Sequence, residues 1–269
     1  MEKRVALITG AANGIGWSMV HHFVKEDYAV ALVDLPNTNM ESKIAVYGYS
    51  EEQILIIDGD LENPNFLHDI VDRCMKKWER IDVLVNNAAW RTTDSLRTSS
   101  LEVWNRTLAI NVTAPAFLAK NVAEALIPKK KNCVFINISS IMSELVAGYA
   151  SAYVVCKGAM ESLTSELAVL YGRQGFRAVA IRPGNVTTPL SADYTDPNGE
   201  NVSDLLVKEI EDRTPIGRSA HVNEIASVAV WLSSTDAQFI TGTTITVDGG
   251  LSSNFSSYTS KRRLKPEEF

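Results

Sequence analysis

The sequence predicts an α/β protein built on one doubly wound parallel sheet. Three observations carry that expectation: short apolar runs recur along the whole chain, stretches of helical period separate them, and a glycine-rich turn joins the first run to the first helical stretch. The expected strands are Val5–Thr9, Ala29–Asp34, Ile54–Asp58, Val83–Asn86, Val134–Ser139, Arg177–Arg182 and Thr244–Asp248. Most are nearly continuous in apolar residues, the pattern of parallel strands covered by helices on both faces.

Between the first two strands, Ile15, Met19, Val20, Phe23 and Val24 share one face of a helix. Similar stretches fall at Phe66–Trp78, Leu101–Leu126, Ala152–Tyr171 and Val222–Ser233. Right-handed crossovers then leave little choice but a single wound sheet, and no composition break divides residues 1–251 into two domains. The segment 189–215 has no strand signal, carries Asp196-Pro197-Asn198-Gly199, and continues into a helical pattern at Val202–Ile210. It reads as a mobile lid or as an ordinary surface excursion. Residues 252–269 are polar, with Lys261, Arg262, Arg263 and Lys265 close together, and read as a solvated tail.

Composition removes several functional classes. With 269 residues, 45% hydrophobic and 22% charged, the chain has the make-up of a soluble globular protein with a sizeable core. A net charge of −6 argues against affinity for nucleic acid or an anionic membrane, both of which need a basic field. Cys74, Cys133 and Cys156 are far apart with no CxxC spacing, so they suggest neither zinc nor disulfides and favour a reducing compartment. Met1, Glu2, Lys3 and Arg4 run straight into Val5–Ile8, with no room for the apolar core of a signal peptide. No apolar run approaches the roughly 18 residues of a membrane span. A cytoplasmic protein is expected. His21, His22, His68 and His221 lack ligand spacing, so no metal site is expected.

The turn Thr9-Gly10-Ala11-Ala12-Asn13-Gly14-Ile15-Gly16 places glycines where backbone must approach closely, just before the unpaired N–H groups of a helix start. Alone it could be a tight connection; after a buried strand it reads as a pyrophosphate site formed by Gly10, Asn13, Gly14, Ile15 and Gly16. Asp34 ends the second strand, where a carboxylate can accept hydrogen bonds from adenosine ribose hydroxyls and would repel a 2′-phosphate. No Lys or Arg lies in the turn or in Leu35-Pro36-Asn37, so NAD is expected over NADP.

Tyr153-x3-Lys157, with Ser140 thirteen residues earlier, resembles the active site of the short-chain dehydrogenase/reductase family. The family's other signals follow in order: the TGxxxGIG turn, Asp60, Asn86-Asn87-Ala88-Ala89, Asn111, Pro183-Gly184-Asn185-Val186-Thr187-Thr188, Thr241-Gly242 and Val247-Asp248-Gly249-Gly250. The resemblance spans residues 5 to 250 and implies a Rossmann-like oxidoreductase that moves a hydride between NAD and a secondary alcohol or ketone. Tyr153 and Lys157 lie four apart on one helix face. Bringing a phenol from about 10 to near neutrality takes roughly 4 kcal/mol of preference for the phenolate, which a fixed ammonium in a desolvated site can supply. Lys157 is therefore expected to lower Tyr153, the general acid/base, while Ser140 holds the reacting oxygen. Ser139 is the rival, but neighbours in an extended segment point opposite ways.

By the same resemblance Lys157 binds the nicotinamide ribose and Asn111 holds a water of the proton path. An Asn in a long helical stretch could instead bond a neighbouring carbonyl or mark a kink. The resemblance further implies that Asp60 and Leu61 contact adenine, that Asn87 and Ala88 line the adenosine side, that Pro183 and Gly184 contribute to the cofactor site, and that Val186 and Thr188 receive the carboxamide. Two departures stand out: Ala89 replaces the usual glycine, and Cys156 replaces the small residue before Lys157. Arg91, Glu144 and Asn185, with Ser140 and Tyr153, suggest a polar substrate wall, suited to a sugar, polyol or hydroxy acid. Arg91 could clamp a carboxylate or be paired internally. The region Trp231–Gly250 resembles the part through which family members assemble, so a homo-oligomer, favoured as a tetramer, is expected. Competing readings are an NAD-binding scaffold or regulator without turnover, and a 3-oxoacyl-carrier-protein reductase, which Asp34 opposes.

Overall fold

The structure is a computed structural model that describes residues 3–196 and 198–269. Met1 and Glu2, and Pro197 of the expected lid, lie outside the described residues. Seven strands, β1 (Val5–Thr9), β2 (Ala29–Asp34), β3 (Ile54–Asp58), β4 (Val83–Asn86), β5 (Val134–Ile138), β6 (Arg177–Pro183) and β7 (Thr243–Val247), form one sheet in the order β3-β2-β1-β4-β5-β6-β7. All neighbouring pairs are parallel. The expected fold class and strand positions hold, with shifts of a residue at the ends of β5, β6 and β7.

Alternation explains why the strands are apolar throughout. Ala6, Ile8, Val30, Leu32, Val83, Val85 and Ile136 face one way, onto Met19, Val20 and Phe23 of α1 (Gly14–Lys25) and Ile225, Ala226 and Ala229 of a later helix (Val222–Ser233). Leu7, Ala31, Val33, Leu84 and Phe135 face the other way, onto the remaining helical layer. Both faces of the central strands β1, β2, β4 and β5 are covered, so most of their positions carry apolar side chains.

The helices in chain order are α1, α2 (Met40–Tyr47), α3 (Pro64–Trp78), α4 (Leu101–Leu108), α5 (Ala114–Leu126), α6 (Ser151–Tyr171), α7 (Ser203–Arg213), α8 (Val222–Ser233) and α9 (Tyr258–Leu264). The expected stretch Leu101–Leu126 is divided by a π-turn at Ala109–Thr113, and Pro115 then sits in the first turn of α5, where its missing N–H costs nothing. Neither α2 nor α9 was predicted. Only Met40 of α2 is buried and no residue of α9 is, so neither has the apolar period that reveals a helix.

After β6 the chain makes a short 3₁₀ turn at Pro189–Ala192, a bridge between Thr195 and Asn201, and α7. Residues 252–269 are largely exposed, yet they are tied to α7: Asp212 accepts from the Thr259 backbone N–H and hydroxyl, both at 3.1 Å, and the Asn254 amide donates to the Arg213 carbonyl at 2.6 Å. Among the described residues no helix is long and apolar enough to cross a membrane.

Candidate active site

The strand order reverses between β1 and β4, and a crevice opens there beyond the strand carboxyl ends, as in other open α/β sheets. It forms a cavity of about 680 Å³. Every site residue expected from the sequence lines it except Gly16 and Asn111.

Gly16 lies behind the turn and acts by its size: a Cβ there would stand 2.0 Å from the Gly10 carbonyl oxygen. Gly10 has φ +64°, and a Cβ on it would come within 2.8 Å of the Ala88 Cα. The glycines thus fold the turn onto itself and onto the exit of β4. Asn87 completes the seam by donating from its amide to the Thr9 and Gly10 carbonyls, each at 3.0 Å, while the Thr9 hydroxyl accepts from the Asn87 and Ala88 N–H groups. Asp34 is held at the end of β2 by accepting from Ala12 N–H and Leu35 N–H, both at 2.8 Å. Asp60 accepts from Glu62 N–H in a tight turn beside Leu61. Asn13, the residue before α1, makes no side-chain cap, so the opening N–H groups of α1 are left to a ligand. This set fits the phosphates and adenosine of a dinucleotide. The turn is also closer to a cation than its sequence suggests: Lys43 of α2 donates to the Ala12 carbonyl and, at 2.9 Å, to the Asn13 Oδ1.

At the other end of the cavity, Tyr153 and Lys157 of α6 meet Ser140 at the exit of β5. Tyr153 and Lys157 are 8% and 2% exposed, so burial dominates their ionisation. The structure corrects the expected direction at Tyr153. Burial pushes its phenol up to about 12, outweighing the Ser140 hydrogen bond and the Arg91 charge, both of which pull it down. Lys157 is itself pulled down, by burial, to about 8. Its Nζ donates to the Ile138 carbonyl at 2.7 Å and stands 5.2 Å from the Tyr153 ring centroid. In this state the ammonium is spent on a backbone carbonyl, and the protonated phenol is the favoured form.

Ser140 Oγ accepts from Met142 N–H at 3.2 Å. Ser139 Oγ instead donates into α6, to the Lys157 carbonyl at 3.0 Å and Glu161 Oε1 at 2.7 Å. Glu161 also accepts from Ser143 at 2.7 Å and pairs with Arg182 at 2.5 Å. Burial opposes its charge, but the hydrogen bonds from Arg182, Ser143 and Ser139 hold it below the usual carboxylate range. No spacing in the sequence marks Glu161, because its partners arrive from two segments distant in sequence, residues 139–143 and β6.

Asn111 lies in the π-turn, and its amide donates to the Thr107 carbonyl at 2.9 Å and the Trp90 carbonyl at 2.8 Å. Both bland expectations for it, a bonded neighbouring carbonyl and an irregular helix, are therefore present. Its Oδ1 is buried without a protein partner among the described residues, and a buried acceptor calls for a donor.

The expected substrate wall is largely paired internally. Arg91 donates to the Leu190 carbonyl at 2.5 Å, with its guanidinium 4.3 Å above the Tyr194 ring. Glu144 pairs with Arg182 at 2.7 Å, and the Asn185 amide donates to Ser219 Oγ at 2.8 Å. Tyr149 meets Tyr194 edge to face. Val186 bridges to Ala220, and Thr188 caps the 3₁₀ turn. Cys156 is fully buried, and burial pushes its thiol up to about 11, far from thiolate reactivity.

Residues 10–252 match a family described as enoyl-(acyl carrier protein) reductase. An uncharacterised short-chain type dehydrogenase/reductase of Sinorhizobium fredii is 34% identical over 248 residues, which are 92% of this chain and 43% of that protein. The chain thus spans less than half the length of that relative. The ligand-free structure of Thermoplasma acidophilum aldohexose dehydrogenase is 28% identical with a TM-score of 0.82, covering 94% of this chain and 96% of the other. ElxO with NADP bound is 26% identical with a TM-score of 0.83, covering 94% and 100%. With the fold, the ordered motifs and the matched family in agreement, the chain belongs to the short-chain dehydrogenase/reductase family of oxidoreductases.

Proposed function

We propose that this protein transfers a hydride between NAD(H) and a secondary alcohol or ketone, with Tyr153 as general acid/base. One observation carries the reading: the Tyr153 phenol, the Ser140 hydroxyl and the Lys157 ammonium converge in the same cavity that runs back to Asp34 and the glycine turn. When bound, the nicotinamide supplies the hydride acceptor or donor and, oxidised, a positive charge beside the phenol. Tyr153 takes the hydroxyl proton as the carbon gives up hydride, and returns it when a carbonyl is reduced. Ser140 donates to the reacting oxygen, and Lys157 holds the nicotinamide ribose. Asn111 Oδ1 is the acceptor for a water on the path that carries the proton onward. Because burial raises Tyr153 even against the Arg91 charge, the Lys157 ammonium and the positive charge that the oxidised cofactor would supply must bring it back toward neutrality.

Asp34 supports NAD: both its oxygens are fixed by backbone N–H groups, so its charge cannot swing away from a 2′-phosphate. ElxO shows that this fold also accommodates NADP. Titration by fluorescence is expected to give NADH at least about tenfold tighter than NADPH, a difference of roughly 1.4 kcal/mol; the reverse order would overturn the cofactor assignment. The substrate is a sugar, polyol or hydroxy acid, read from Arg91, Glu144 and Asn185 on the wall, with residues 189–215 as its lid. The aldohexose dehydrogenase of similar fold is consistent with that class. The assembly is a homotetramer, supported by the exposed Phe239 just before the edge strand β7 and the exposed Trp231 of α8, and the free, unpaired cysteines favour the cytoplasm as its compartment.

The test is Tyr153→Phe assayed against a panel of sugars, polyols and hydroxy acids. The variant is expected to bind NADH as the parent does and to lose turnover by at least about 10²–10⁴-fold. Retained turnover would remove Tyr153 from the mechanism, and no turnover by the parent on any alcohol or ketone would favour a scaffold.

A further inference from the structure

Asn is among the strongest residues for closing a helix amino terminus, because its side-chain oxygen accepts from the second or third N–H of the helix. Asn13 occupies that position on α1 with extended backbone, φ −144° and ψ 170°, yet it makes no such bond. Its Oδ1 is taken by Lys43 Nζ at 2.9 Å. Lys43 is itself fixed by two further contacts: it donates to the Ala12 carbonyl, and its ammonium lies 5.3 Å from the Trp17 ring centroid. Asn13 lines the cofactor cavity, whereas Lys43 stands outside it.

We propose that Lys43 is a positioning residue for dinucleotide binding: by holding the Asn13 oxygen, it keeps the amino terminus of α1 open for the pyrophosphate. Without that grip, the Asn13 side chain rotates and its oxygen caps Ile15 N–H or Gly16 N–H. An anionic ligand must then displace an internal bond before it can dock. The inference rests on the reading that this turn binds the cofactor's phosphates. It adds that a residue of another helix, thirty positions away in sequence, keeps the site ready.

The experiment measures NADH and NADPH dissociation constants by fluorescence for the parent, Lys43→Met, Lys43→Gln, Asn13→Ala and the Lys43→Met/Asn13→Ala pair. Lys43→Met is expected to weaken NADH about fivefold, the scale of one helix cap. Lys43→Gln, which loses the charge but keeps a donor for Asn13, is expected to recover most of that loss. In the Asn13→Ala background the further change Lys43→Met is expected to alter affinity by less than about twofold, because no side chain remains to close the helix. A purely electrostatic or structural role would weaken binding equally in both backgrounds and would leave Lys43→Gln as poor as Lys43→Met; either result overturns the proposal, as does unchanged affinity in Lys43→Met. If the parent bound neither dinucleotide, the cofactor reading would fall together with the proposal, whereas a parent that binds NADH beside an unaffected Lys43→Met would remove the role of Lys43 alone.

Discussion

The two ends of the cavity are built by different means. At the dinucleotide end, the turn after β1 is locked by backbone geometry: Gly16 sits where a Cβ would meet a carbonyl oxygen at 2.0 Å, and bonds through Asn87, Thr9, Ala12 and Asp34 fasten the turn while the opening N–H groups of α1 stay free for a ligand. At the substrate end, residues 189–213 add no strand to the sheet among those described; a bridge between Thr195 and Asn201 joins the segment to itself, and side chains tie it to the rest. Arg91 grips the Leu190 carbonyl, Glu211 accepts from Ser219, and Asp212 and Arg213 accept from the C-terminal segment. A backbone lock tolerates almost no change, whereas side-chain ties can be altered one at a time. That division suits a fold that keeps one cofactor site while its substrate pocket varies.

The sharpest way to break the comparison is one methyl group in each region. Gly16→Ala is expected to abolish measurable NADH binding and to lower stability by about 3 kcal/mol or more, since the clash is with backbone rather than with a movable side chain. Gly199→Ala in the substrate region meets no atom within 4 Å, but its φ of +85° strains an L residue. Its cost is expected to be about 1 kcal/mol, with NADH affinity unchanged. Thermal unfolding and NADH titration of both variants check the contrast, and normal NADH binding by Gly16→Ala would show that the turn has slack.

Between the two regions lies the buried pair on α6, and there pH is the probe. Lys157 has its pKa lowered from 10.5 to about 8 by burial, so between those values the unfolded chain binds more protons and stability from this group rises with pH. The full effect is up to about 3 kcal/mol. Lys157→Met removes it, along with the pH-independent bond to Ile138. The stability of the variant relative to the parent is therefore expected to be greatest near pH 7 and to decline toward pH 10. Tyr153 acts in the opposite sense: burial keeps it protonated to about 12 in the folded protein, so its contribution is full below pH 10 and is lost as pH rises to 12. Denaturant melts across pH 7 to 10 test the sign, and a difference that does not move with pH would mean that the buried amine keeps its ordinary pKa in the folded protein.

Legibility followed the same division. The strands were visible because burial on both sheet faces demands apolar residues at consecutive positions, and the site motifs were visible because glycine size, the Tyr153–Lys157 helical spacing and the Asp34 strand end are local constraints. Helix α2 was invisible because it exposes nearly all its residues, and with it went Lys43, whose contact with Asn13 spans thirty positions. The direction of the Tyr153 ionisation was misread for a related reason. Spacing shows that an ammonium is near, but only the fold shows that both groups are buried and that the ammonium is bonded to Ile138. Glu161 and the internal partners of Arg91, Glu144 and Asn185 likewise depend on segments that meet only in three dimensions.

The smallest effect separates the C-terminal segment from the rest. Asp212 on α7 presents its carboxylate to the first turn of α9, accepting from Thr259 and pairing with Arg262 at 3.3 Å. A carboxylate at a helix amino terminus is favourable, but both partners are partly solvated, so Asp212→Ala is expected to cost about 1 kcal/mol or less. Its consequence should be local. Glu209, Ile210 and Arg213 are the α7 residues that line the cavity, and Asp212 is not among them. Limited proteolysis is therefore expected to cut residues 203–213 and 258–264 severalfold faster in the variant, while NADH affinity stays within about twofold of the parent. Equal cleavage rates would mean that α7 needs no support from α9, and weakened NADH binding would mean that the two ends of the cavity are coupled after all.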